Sequence, residues 1–64
     1  MIEEIIKREC PRYVQREMIY HNKLRTVIID THSSLSYPVV IEPEEGLLDK
    51  MNSEYEQHLR SVLE

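Results

Sequence analysis

Apolar residues recur at helical spacing at both ends of this chain and at strand spacing in its middle. Ile2, Ile5 and Ile6 fall at i, i+3, i+4 within IEEIIKRE, which predicts a short helix over residues 2–9. Glu3 and Glu4 lie at its electropositive start, and Lys7 and Arg8 at its electronegative end, as the helix dipole prefers. Pro11 has no N–H and clashes with the turn before it, so it stops this helix or begins another.

Residues 12–22, RYVQREMIYHN, admit two readings. As a helix, placed first, they stack Tyr13, Val14, Met18 and Cys10 in one stripe. As a strand, they put Val14, Met18 and Tyr20 on one face with Arg16 among them. The run from Met18 to Leu24 then reads as strand, turn and strand, because Asn22 tolerates the positive φ of a tight hairpin.

Two β-branched runs follow, LRTVIID and SYPVVIE, separated by residues 31–35. They predict an antiparallel hairpin. Val27, Ile29, Val39 and Ile41 alternate with Ile28 and Val40, so both faces are apolar, and something must cover each of them. Pro38 cannot donate to a ladder, which puts its strand at an edge or a bulge. Over residues 43–63, Leu47, Leu48, Met51, Tyr55, Leu59 and Val62 repeat at three and four, the pattern of one amphipathic helix. A possible capping box at Ser53 and Glu56 would instead split it near Asn52. The predicted fold is thus α+β, in one small domain over 1–64: a short N-terminal helix, an antiparallel hairpin or three-stranded meander, and a C-terminal amphipathic helix.

Length sharpens the picture. A chain of 64 residues buries only roughly 60% of its unfolded surface. Small scaffolds close that deficit with disulfides, a metal or a partner chain. The lone Cys10 makes no internal disulfide, and a polypeptide partner is preferred over a metal. Leu, Ile and Val fill 18 of 64 positions, about 28%, which is above the range of disordered chains. No apolar run approaches membrane-spanning length. The acidic start, Met1 to Glu4, has no basic leader-like character, and with one Cys the expected setting is the reducing cytoplasm.

Charge is unevenly divided. Residues 1–29 carry six bases and four acids, and residues 30–64 carry eight acids and two bases, giving the net charge of −4. Three explanations are open: chance bias on a solvated surface, self-association of the basic half with the acidic half, or a basic patch for nucleic acid. Arg8, Arg12 and Arg16 would form a row if one helix ran through Pro11.

Candidate chemistry is sparse. Asp30, His32 and Ser33 or Ser34 can be written as a triad, but they are also ordinary turn residues, and one Gly leaves little room for an oxyanion site. Cys10, His21, His32 and His58 are zinc-type donors without the close pairing that zinc sites use. Glu54 and His58 share a helix turn. The carboxylate pairs Glu3/Glu4 and Glu44/Glu45 suit helix starts. No phosphate loop, dinucleotide fingerprint or nucleophile elbow occurs.

The expectation is therefore a non-enzymatic adaptor or regulatory protein without a cofactor or metal. It would act through protein contacts, on itself as a homo-oligomer and on other proteins. The alternative is a nucleic-acid-binding regulator using the basic half. Tyr and Arg concentrate at the energetic centres of interfaces, so Arg8, Arg12, Tyr13, Arg16, Tyr20, Lys23 and Arg25 are the expected contact residues.

Overall fold

The computed structural model describes residues 1–33 and 37–64. Helix α1 spans Ile2–Glu9, strands β1, β2 and β3 span Tyr13–Tyr20, Lys23–Asp30 and Pro38–Ile41, and helix α2 spans Leu47–Leu63. The arrangement is α+β. The strands form one antiparallel meander in the order β1-β2-β3.

The helix reading of residues 12–22 is corrected. Tyr13 to Tyr20 pair with Lys23 to Asp30 over their whole length. The helical stripe of Tyr13, Val14 and Met18 gives way because β2 is a long β-branched run that needs a partner on each side. The turn settles the matter locally. His21 and Asn22 both take positive φ, 52° and 66°, the type I′ pattern whose twist matches the strands it joins. The peptide Cys10–Pro11 is cis, and α1 ends before it at Glu9. The imagined row of Arg8, Arg12 and Arg16 on one helix does not exist.

The C-terminal segment is a single helix, uninterrupted at Asn52. It starts at Leu47, four residues later than the predicted 43, because Glu42 and Gly46 sit at φ 52° and 83° and residues 43–46 turn the chain instead. Of the predicted hairpin loop, Ser34 and Leu35 lie outside the described residues. Pro38 stands on the edge strand, opposite Ile29, where the β2–β3 register shifts.

Cross-strand partners share a face. Tyr13, Gln15, Glu17 and Ile19 of β1 therefore lie on the same side as Asp30, Ile28, Thr26 and Leu24 of β2. Helix α2 crosses this side: Tyr55 meets the ring of Tyr13, and Leu48 and Asp49 line a groove with Gln15 and Thr26. The other side carries Val14, Arg16, Met18 and Tyr20 with Ile29, Val27, Arg25 and Lys23. Helix α1 packs on α2, where Arg60 binds Glu3 at 2.6 Å.

The core is thin. Among the described residues only Ile6, Val27 and Ile28 are buried, and α2 contributes none. Val27 and Ile28 are adjacent and so face opposite sides, yet both are at 0% exposure. The two-sided cover expected of β2 is present at its centre. It fails at the hairpin tip, where Ile19 and Leu24 are 66% and 63% exposed. The radius of gyration is 13.4 Å, against about 11 Å for a compact chain of this length. The accessible surface is 5069 Å², where a folded monomer of this mass exposes roughly 4,300 Å².

Candidate functional site

The expected contact residues separate into two groups, with Arg8 apart from both. Arg12 and Tyr13 enter a structural cluster where the start of β1, the end of β2 and α2 meet. Arg12 donates two parallel hydrogen bonds to Asp30, from Nε at 2.9 Å and Nη2 at 2.8 Å. Its guanidinium lies 5.3 Å from the ring centre of Tyr13 and 4.9 Å from that of Tyr55. Tyr55 also meets Tyr13 and His32 edge-on. The bidentate pair holds the Asp30 carboxyl down at about 2, and the same bonds raise the Arg12 pKa.

This cluster answers the triad question. Asp30 accepts from Arg12 and from the main-chain N–H of His32, not from its ring. The imidazole instead points Nε2 at Glu9, 3.4 Å away, linking the end of α1 to the loop after β2. Ser34 lies outside the described residues. Among the described residues, no three His, Cys, Asp or Glu side chains converge as metal ligands would. Cys10 is half-buried; burial pushes its thiol pKa up, and Glu56 and Glu9 push the same way.

The second group lies on the hairpin. Arg16, Tyr20, Lys23 and Arg25 share the sheet side away from α2. Arg25 is committed in part: its Nε donates to the Tyr20 carbonyl at 3.1 Å, and its Nη1 is 4.0 Å from Glu42. Tyr20 stacks on His21, with ring centres 4.2 Å apart. Arg16 and Lys23 are exposed. Arg8 stands apart on α1, its side chain 72% exposed beside Glu9. Of the acids of the C-terminal half, Asp49, Glu54 and Glu56 sit on α2 and Glu44 and Glu45 on the turn before it.

Sequence reasoning missed two features. Asn52 donates and accepts against the backbone of Tyr13, anchoring α2 to β1. Its only sequence signal is a polar side chain beside Met51 in an apolar stripe. The second is the free edge of β1. In this ladder Arg12 takes the Thr31 N–H on its carbonyl, so even-numbered β1 residues bond β2 and odd-numbered ones point outward. Asn52 satisfies Tyr13. Among the described residues, nothing pairs with the outward N–H and C=O groups of Gln15, Glu17 and Ile19. Compared with known proteins, no family model, curated protein or solved structure matches this chain.

Proposed function

We propose that this chain is a small non-enzymatic adaptor or regulatory protein that works by contact with other polypeptides, including copies of itself. The observation that carries the reading is the shortage of burial: a 17-residue amphipathic helix with no buried residue, over a sheet whose tip exposes Ile19 and Leu24. A chain that leaves this much apolar surface in water gains from covering it with another chain. Its working place in this reading is a reducing cytoplasm, on the ground of the single free thiol.

The second reading, nucleic-acid binding, draws on the placement of Arg16, Lys23 and Arg25 beside Tyr20 on one sheet face. The net charge of −4 weighs against it. The two separate by experiment. Tagged chain is used to capture partners from its native extract, and each captured protein is re-tested in purified form. A saturable complex with a purified protein supports the adaptor reading. A salt-sensitive shift on DNA or RNA, lost in Arg16→Ala with Arg25→Ala, and no purified protein complex, overturns it.

A further inference from the structure

We infer that the free edge of β1 is a self-pairing site, where two copies join antiparallel into one six-stranded sheet with Met18 opposite Met18. This rests on the protein-contact reading and names its partner. The two sheet edges are built differently. The β3 edge is four residues long, carries Pro38 and shifts register, all of which discourage pairing. The β1 edge is eight residues long, regular and free of Pro. Such an edge is a template for another strand.

Four registers place outward groups against outward groups near the middle of the strand: one sets Gln15 against Gln15 and needs the Tyr13 groups that Asn52 already holds, and three others remain. One sets Arg16 against Arg16 and draws on Tyr13, whose N–H and C=O Asn52 already holds at 2.8 and 3.0 Å. A second sets Glu17 against Glu17, two carboxylates face to face. The third sets Met18 against Met18, Glu17 against the second copy's Ile19, and Arg16 against its Tyr20. Only the third brings the two Ile19 side chains within diagonal reach across the two-fold, each beside its own Leu24, its cross-strand partner. It thus covers the two most exposed apolar positions of the sheet and sets cations beside aromatic rings. The surface in excess of a compact monomer, roughly 700 Å², is close to what one partner gives to a standard interface.

The test uses the purified 64-residue chain alone. Sedimentation equilibrium at high micromolar concentration should return twice the 7.7 kDa chain mass. Glu17→Pro removes an outward N–H that β2 does not use, so it should give a single-chain particle with the same circular dichroism. Two cysteine variants in a Cys10→Ser background fix the register. Met18→Cys should oxidise to a disulfide dimer, because directly opposed, non-bonded residues lie about 4.5 Å apart at Cα. Arg16→Cys should not, since the two copies of residue 16 stand about 14 Å apart along the strands. A single-chain particle for the unaltered protein, a Glu17→Pro protein that stays paired, or cross-linking through residue 16 in preference to 18 overturns the inference. A single-chain particle would remove self-contact from the proposed function, but none of these results bears on capture of a different protein, so the adaptor part of that reading stands or falls on its own experiment.

Discussion

Asn52 in the middle of α2 treats Tyr13 as a neighbouring strand would: its Oδ1 accepts the Tyr13 N–H at 2.8 Å and its Nδ2 donates to the Tyr13 carbonyl at 3.0 Å. One side-chain amide thereby occupies both outward groups at the start of β1 and ties the helix to the sheet. Replacing Asn52 with Ala leaves both half-buried groups without that partner, at a cost of about 1–3 kcal/mol. Asn52→Asp keeps the acceptor but turns the donor into a carboxylate oxygen against a carbonyl, and should be no better. Urea unfolding with an unchanged slope reads the loss directly. A midpoint for Asn52→Ala equal to that of the unaltered chain would show that the clasp carries no weight.

The Arg12–Asp30 pair makes the acid limb of stability predictable. Asp30 titrates at about 2 in the fold, below its ordinary 3.8. A carboxylate whose folded pKa is depressed contributes stability that is fully present above the ordinary value and lost as the pH falls through the folded one. The loss should therefore run from about pH 4 down to pH 2 and amount to on the order of 1–2 kcal/mol, allowing for solvent around the guanidinium. Glu3, lowered by its bond to Arg60, drops out in the same direction. Denaturation midpoints of the unaltered chain and of Asp30→Asn, followed between pH 5 and 2, should converge as the pH falls. Parallel curves would remove Asp30 as the cause.

Much of the fold is written in local signals. The Ile2, Ile5, Ile6 spacing, with Pro11 beyond it, sets α1 at residues 2–9 as read. Pro38 marks the edge, and the doubled apolar faces of β2 mark the central strand. What misled the reading of residues 12–22 is that Val14 and Met18 fit both periods, and only pairing with β2 decides between them. The site was less legible for the same reason. Arg12 and Arg16 are identical in sequence terms, yet one is locked to Asp30, 18 positions away, and the other is exposed. Asn52 acts 39 positions from Tyr13, a relation no window on the chain contains.

The hairpin turn gives a prediction in the stabilising direction. His21 and Asn22 hold φ of 52° and 66°, a region that costs a residue with a Cβ roughly 1–2 kcal/mol, less for Asn. Asn22→Gly should therefore raise the melting temperature, and His21→Asn should do so if the stacking of His21 on Tyr20 is worth less than the backbone relief. Asn22→Val, β-branched at a positive φ, should lower it. Thermal scans of the three variants rank them, and a Val variant as stable as the Gly variant would contradict the turn geometry.

The contrast between Ile28 and Ile19 tests where the core ends. Both lie on the side of the sheet that α2 crosses, but Ile28 is at 0% exposure at the centre of the sheet and Ile19 is 66% exposed at the tip. Truncating a buried Ile to Ala costs about 2–5 kcal/mol, from lost transfer energy and the cavity left behind. With total stabilities of small domains near 5 kcal/mol or less, Ile28→Ala should leave the chain largely unfolded. Ile28→Val, which removes one methylene, should cost about 1 kcal/mol and keep it folded. Ile19→Ala, measured at a concentration low enough to hold the chain as single copies, should move stability by less than about 0.5 kcal/mol. The same substitution at high concentration should cost more, because in the proposed paired sheet the side chain meets its counterpart. Equal losses for Ile19→Ala and Ile28→Ala in dilute solution would mean that the tip is covered within one chain, and the exposed pair would no longer mark a contact surface.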